Sequence, residues 1–599
     1  MKPSTSLNAG CQLLTGGQWL ATTFLLLCSM ANAVADTRPN VVVILTDDQG
    51  WGDLSIHGNT NFTTPNIDAL GRSGTRFDRF FVCPVCSPTR AEFLTGRYHP
   101  RGGVYDTSKG GERLDLDERT IAQSFKAAGY HTAAFGKWHN GMQYPYHPNA
   151  RGFDEFYGYC SGHWGDYFSP PLDHNGQLVT GNGYLVEDFT NHAIQFIEQY
   201  AQENFFVYVP LPTPHAPMQV PDAYWSAMEN RTLSSKARDE DLEDEDFTRA
   251  ALAMVKCIDD NVGRLMRKLE ELQLRENTIV VFFCDNGPNS FRYNGDMKGR
   301  KGSTDEGGVR SPLFVSWPQG IQSNRVVAQI CGAIDLLPTL ADLCKIPIAT
   351  EKPLDGLSLA PIVSGQASSI PDRRIFSHWN GKVSVRTQHF RLDHQGHLFD
   401  MVIDPGQKKN VAGEHPDVTK QLHAEVEQWS NELLPGLRDD QRPFPIGHPD
   451  FNLTQLPARD GTPHGQVARS AKAPNCSYFT NWTSTDDRMT WPVEILKPGR
   501  YAVEMYYACP EEDLGAEILL SIGDNRLSQV VSVAHNPPAL GNEHDRVPRH
   551  TESLVKDFKP MALGTIELPS GKAELTLRAT KIPGKQAAEM RLLMFRRVP

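Results

Sequence analysis

The sequence predicts an α/β protein with an all-β module behind it: a mixed, mostly parallel sheet sandwiched by helices, a small α+β subdomain, then an appended β-sandwich. Three observations predict it. From Pro39 to about Pro361, short apolar runs alternate with amphipathic helical patterns, as in strands joined by crossover helices. Across residues 375–435, two strand-like runs precede one long helical pattern. Beyond residue 465 only short strand-like runs remain, with turn residues between them, the spacing of a sandwich.

The first element is a targeting segment. Lys2 supplies a positive start, residues 19–27 an apolar stretch, and Ala31-Asn32-Ala33 a small-residue cleavage site. The stretch falls short of the roughly 20 apolar residues that span a bilayer. The expectation is therefore a signal peptide over 1–33 cleaved near Ala33, no transmembrane segment, and export to a periplasmic or extracellular space. Candidate strands follow at 41–45, 132–135, 205–209, 279–284 and 313–317, with helical patterns at 120–128, 190–199 and 247–272. In open, mostly parallel sheets, ligands bind beyond the carboxyl ends of the strands. Four of these ends are polar: Thr46-Asp47-Asp48, Gly136-Lys137-Trp138-His139, Pro214-His215 and Asp285-Asn286-Gly287. Four such ends suggest one shared site.

Later elements are smaller. Residues 383–392 and 397–401 pair as strands, and 417–433 has helical periodicity. Residues 435–465 are rich in Pro, Gly, Asp and His and read as a linker. Strand-like runs stand at 490–495, 501–507, 516–522, 564–568 and 573–579. The expected division is a catalytic domain over 38–370, its C-terminal subdomain over 371–435, a linker over 436–465 and a sandwich over 466–599, resembling modules appended to secreted carbohydrate-active enzymes. Trp482, Trp491, Tyr506 and Tyr507 there offer a sugar platform, but core packing is the better reading. Cys476 and Cys509 offer a disulfide that sequence cannot decide. The acidic run 240–246 reads as a solvated helix start rather than a metal cluster.

Composition narrows the function. The chain has 599 residues, 59 basic against 71 acidic, and a formal net charge of −12. That balance argues against non-specific nucleic-acid binding, which needs a basic surface. Ordinary composition excludes a disordered chain. Loss of the leader removes Cys11 and Cys28, leaving nine of eleven cysteines. An odd number in an exported protein asks for one thiol with another fate.

Cys86-Ser87-Pro88-Thr89-Arg90 is the motif that carries most chemistry. Ser87 suits a helix cap, Pro88 a first helical position and Gly96 a helix stop. Cys86 then lies at a helix N-terminus, where the backbone N–H groups favour an anion and depress a thiol pKa. Arg90 adds a bidentate donor for a tetrahedral oxyanion. A Cys83–Cys86 redox pair or a buried structural cysteine are the alternatives from these residues alone.

With Leu94-Thr95-Gly96-Arg97 behind it, this run resembles the signature of the type I sulfatases, and Cys83 does not fit that frame. Thr46-Asp47-Asp48, Gly136-Lys137-Trp138-His139, Pro214-His215, Asp285-Asn286-Gly287, Gly299-Arg300-Lys301-Gly302 and Glu306-Gly307-Gly308-Val309-Arg310 extend the resemblance in order across residues 38–435. It implies an alkaline phosphatase-like fold and conversion of Cys86 to formylglycine by a maturation enzyme, which accounts for the odd cysteine. It implies Ca²⁺, with Mg²⁺ less favoured, held by Asp47, Asp48, Asp285 and Asn286 with position 86. Hard oxygen donors suit those ions. Arg90 and His139 would orient the formylglycine hydrate, and Lys137 and Lys301 would hold sulfate oxygens. His215 or Lys301 would protonate the departing alcohol, and Asp285 is a plausible base. The hydrate attacks sulfur, the alcohol leaves, and the sulfated hemiacetal collapses to aldehyde and sulfate.

The substrate is less determined. A sulfated carbohydrate is preferred, from export and the extra module, with aryl sulfate as a simpler substrate. A phosphoester or phosphonate hydrolase of the same superfamily and a non-catalytic sulfated-glycan binder are the other two readings. The aromatic-, His- and Gly-rich stretch 157–176 is either a loop over the pocket mouth or ordinary loop packing.

Overall fold

The computed structural model describes residues 38–598, so the expected leader, 1–33, lies outside the described residues. Ten strands form the main sheet. They are β1 (Asn40–Thr46), β2 (Thr75–Phe77), β3 (His131–Lys137), β4 (Glu155–Tyr159), β5 (Pro171–His174), β6 (Gln177–Thr180), β7 (Phe205–Pro210), β8 (Thr278–Cys284), β9 (Leu313–Ser316) and β10 (Arg325–Val327). Their spatial order is β10-β2-β9-β8-β1-β7-β3-β4-β5-β6. The centre, β8-β1-β7-β3-β4, is parallel throughout, while β9 runs antiparallel to both its neighbours and β5-β6 is an antiparallel hairpin.

Alternation along β1 explains the two-faced burial. Val41, Val43 and Leu45 pack with Phe206, Tyr208, Ile279, Val281 and Phe283 against Phe93 and Leu94 of helix Cys86–Thr95 and the leucines of helix Leu336–Cys344. Val42 and Ile44 face the opposite way, with Val207, Val209, Val280 and Phe282, towards helices Leu185–Gln199 and Glu245–Glu271. Side chains two residues apart share a face, and a parallel sheet covered on both faces needs apolar residues at every strand position. In that register Thr46 lies beside Cys284, so the following Asp47 and Asp285 emerge together.

Only the two ends of the stretch 157–176 are strand; residues 160–170 between them form a loop, and Gly162 and His163 of that loop line a cavity that Cys86 also lines. Tyr157 and Tyr159 lie in β4 and are buried, and 171–180 forms the β5-β6 hairpin. Further on, Ile375–Trp379, Lys382–Arg386, Phe390–Leu392 and Leu398–Asp400 form an antiparallel sheet, followed by helix Pro416–Leu433. The stretch read as a linker, 436–465, carries strands Phe444–Ile446, Leu453–Pro457 and Thr462–His464. Their Pro and Gly content masked short alternating runs that pair with Arg488–Ile495 and Glu589–Arg597. These strands join two six-stranded sheets that enclose a core containing Trp482, Trp491, Tyr501 and Tyr507. Trp482, Trp491 and Tyr507 are therefore core side chains.

The disulfide is not formed. All nine described cysteines are buried free thiols, including Cys476 and Cys509. Cys476 Sγ instead donates to the His163 carbonyl at 3.1 Å. Because none is paired, an odd count carries no information about Cys86. Among the described residues no helix is long and apolar enough to cross a membrane.

Candidate active site

Helix Cys86–Thr95 begins two residues earlier than its sequence suggests: Val85 is the cap, without a side-chain hydrogen bond, and Gly96 closes the helix at φ 69°. Ser87 is inside the first turn, and its Oγ is buried without a partner. Cys86 keeps its place at the N-terminus. Thr89 ties this turn to the end of β8, donating from Oγ1 to the Asp285 carbonyl at 2.6 Å. The thiol is not activated as the motif suggested. Burial pushes the Cys86 pKa up, and the charges of Lys137 and Lys301 do not offset it.

Two non-glycine residues at the strand ends adopt left-handed backbone, Asp48 and His139, each at φ 67°. Such strain persists where surrounding structure holds it, often at functional sites. At the end of β8, Gly287 approaches the Gly307 carbonyl so closely that a Cβ would lie 2.0 Å from its oxygen. Only glycine permits that approach, which packs Glu306–Val309 against the Asp285-Asn286 turn.

Below the pocket each carboxylate has a cation. Lys137 Nζ lies 2.6 Å from Asp47, Lys301 Nζ 2.6 Å from Asp48, and Arg90 2.8 Å from Asp285. Arg90 spends its Nε and one terminal nitrogen on Asp285 and the other on the Lys137 carbonyl, so its fork holds these two groups rather than an open oxyanion position. Asn286 Nδ2 donates to Asp48 at 2.8 Å. Burial alone would raise the Asp48 carboxyl, but Lys301 and then His215 hold it well below the carboxylate range. Burial and the Asp47 charge push Asp285 up. Against its own burial, Lys301 is held charged by Asp48.

His139 donates from Nε2 to the Thr107 carbonyl at 2.8 Å, leaving Nδ1 as a buried acceptor without a partner. Burial, then Lys137, keeps this ring neutral. His215 donates from Nδ1 to the Ala216 carbonyl at 2.6 Å, and its Nε2 stands 3.7 Å from Asp48. Burial, then Lys301, pushes its pKa down.

The donor set fits a hard divalent cation. Ligand atoms of Asp47, Cys86 and Asp285 lie within 4.8 Å of one another, as do those of Asp47, Asp48 and His215. Asp47 Oδ1 and Asn286 Oδ1 are buried with no hydrogen-bond partner, and an unpaired buried oxygen is costly unless something occupies it. Carboxylate and amide oxygens favour Ca²⁺ or Mg²⁺ over soft metals.

Above this layer is a cavity of about 610 Å³. Asp48, Cys86, His139, His215 and Lys301 reach its wall, while Asp47, Arg90, Lys137, Asp285 and Asn286 lie behind. All ten residues read from the sequence therefore come together in one place. Several wall residues were not read as site residues: Asn289, Arg300, Lys472, Arg549 and Glu552 among them. Arg300 stood inside a quoted motif; the last three, from the tail, carry no local signal. Gly162 also matters, because a Cβ there would sit 2.6 Å from His139 Nε2 and 2.5 Å from Asn475 Nδ2.

The family models and the curated relatives that this chain matches are sulfatases. Residues 39–346 match the sulfatase family model, and residues 301–432 match that of the N-sulphoglucosamine sulphohydrolase C-terminal region. The chain is 27% identical to N-acetylgalactosamine-6-sulfatase of Canis lupus familiaris, over 79% of this chain and 98% of that protein. It is 30% identical to human (Homo sapiens) arylsulfatase A, over 66% and 89%. The structure of Ps i-CgsB in complex with k-i-k-neocarrahexaose superposes with a TM-score of 0.60 at 28% identity, over 66% of this chain and 93% of that one.

Proposed function

The chain belongs to the sulfatase family and is a sulfuric ester hydrolase; on that premise we propose that it is an exported, Ca²⁺-dependent enzyme that removes sulfate from a sulfated glycan through formylglycine at position 86. The observation that carries the reading is the placement of Cys86, on the wall of the cavity at a helix N-terminus and directly above three carboxylates and three cations. Glycan preference is supported by the names of the relatives, a 6-sulfatase of N-acetylgalactosamine and a protein crystallised with a neocarrahexaose.

Formylglycine, as its hydrate, supplies the attacking hydroxyl at this position. Asp47, Asp48, Asp285 and Asn286 would hold a divalent cation, which would supply Lewis acidity and charge neutralisation at the sulfate group. The chain's own residues do the remaining work. His139 Nδ1, a buried acceptor without a partner beside the same cavity, would orient the hydroxyl at position 86. Arg90 fixes Asp285 and the Lys137 backbone, so both groups are positioned before substrate arrives. Lys137 and Lys301 are preorganised cations for sulfate oxygens, stabilising charge as the sulfur–oxygen bond breaks. His215 and Lys301 stand on the cavity wall for the leaving oxygen, and Lys301, the one held charged, can give it the proton it needs to depart as an alcohol. A maturation enzyme is needed to oxidise Cys86, whose raised thiol pKa makes it a poor nucleophile unmodified.

Peptide mass spectrometry across residues 80–97 of protein from its native source, with a parallel aryl-sulfate and aryl-phosphate assay, tests this. Aldehyde at position 86, with sulfate released far faster than phosphate, is the expected result. An unmodified Cys86 in active protein sinks the nucleophile assignment. Cys86→Ala is expected to lose turnover entirely while unfolding at the wild-type temperature, within about 1 °C or 2 °C for a small buried change.

A further inference from the structure

The cavity is completed by the C-terminal sandwich. Residues 472–475 and 547–552 lie on its wall, opposite Cys86, His215 and Lys301 in the sequence but beside them in space. These two segments are anchored. Ser161 Oγ donates to the Asn475 carbonyl at 2.9 Å, and Ala473 N donates to the Thr551 carbonyl at 3.0 Å, tying one segment to the other. The second is docked beside His215: Arg546 N donates to the Met218 carbonyl at 2.9 Å, and Gln219 Nε2 to Asp545 at 2.9 Å. Arg549 is fully engaged with Asp545 and the Gly541 and Ser553 carbonyls, so it braces the wall. A wall fixed in this way is preformed for a ligand.

Its charges are uneven. Lys301 is paired with Asp48 and Arg549 with Asp545. Arg300 and Lys472 have no ion-pair partner among the described residues; Arg300 lies over Phe291 and donates to the Asn289 carbonyl. Glu552 accepts from Thr551 N and Oγ1, and a carboxylate with about four acceptor sites retains capacity for sugar hydroxyls. We propose that the sandwich loops form the leaving-group subsite of this pocket, and that it takes a saccharide bearing a second acidic group, held by Arg300 and Lys472, with Glu552 accepting its hydroxyls. This rests on the sulfated-glycan reading above and names the class of glycan.

The test is calorimetric titration of full-length Cys86→Ala protein, which binds without turnover. The two probes are N-acetylgalactosamine 6-sulfate and a disaccharide carrying the same ester plus a uronate. The expected result is about tenfold tighter binding of the disaccharide, reduced to within about twofold by Lys472→Ala or Arg300→Ala. Lys472→Arg is expected to keep most of the preference. Lys472 is exposed, so its replacement leaves the fold intact. Equal affinity for the two probes, no binding of either, or an unchanged preference in the Lys472→Ala, Arg300→Ala double variant overturns the proposal. Failure of the sulfatase reading looks different: modified wild-type protein that releases no sulfate from either probe or from aryl sulfate.

Discussion

Asp47, Asp48 and Asp285 each face one cation at 2.6–2.8 Å in a buried layer, so removing one member leaves its partner uncompensated. Asp285→Asn keeps the volume and removes one charge. The expected outcome is a loss of bound metal of at least about tenfold in affinity, with turnover falling in parallel. Atomic emission on the dialysed protein checks it, and unchanged metal content would remove Asp285 from the ligand set. The motif around Cys86 was legible because its residue types are scarce and its order is specific. The state of the thiol was not: the helix N-terminus argues for a lowered pKa, but burial is the larger effect here. Arg90 illustrates the same limit. Its identity is readable, while its commitment to Asp285 and the Lys137 carbonyl depends on segments far away in sequence.

Helix Cys86–Thr95 is buried along its whole length, so its polar side chains other than Ser87 find their partners inside. Glu92 accepts from His99 N at 3.3 Å and also engages Cys83. Burial pushes its pKa from 4.5 to about 8. Because the folded value lies above the unfolded one, the native state holds a proton that the unfolded chain has released at neutral pH. The associated stability is complete below pH 4.5 and is lost as pH rises towards 8. Thermal melts of Glu92→Gln are expected to show a flatter fall in melting temperature across that window than wild type. Identical slopes would mean that Glu92 ionises in the native state. At this scale β1, β3, β7, β8 and β9 were readable from apolar runs. The strands within 436–465 were not, since Pro and Gly obscure runs of only three to five residues.

Over the whole molecule, the sandwich is joined to the rest by buried charge as well as by the pocket loops. Arg459 lies 3.0 Å from both Glu112 and Asp460 and donates to Ser161 Oγ at 2.9 Å, with the two ionic partners buried. Arg459→Met would leave Glu112 without its cation, at a cost of about 3–5 kcal/mol. Urea denaturation measures this. A loss under about 1 kcal/mol would show that Glu112 takes up a proton in the variant, as its burial favours. Pro39–Pro599 form one compact unit, so calorimetry of the full chain is expected to show the sandwich melting with the large sheet.

The sequence by itself determined the alternation of strands and helices, the polar strand ends, the ten residues gathered at the site and the family to which they point. These are local patterns, set by side-chain period and by the chemistry that a few residue types can perform. Tertiary structure decided which atoms are left unpaired, which pKa values rise, and which distant loops wall the cavity. Lys472 and Glu552 lie more than 300 residues from Cys86, and no local pattern encodes that approach. It follows from burying the sandwich edge against the loops at 161–163 and 217–222, a contact that only the folded chain contains.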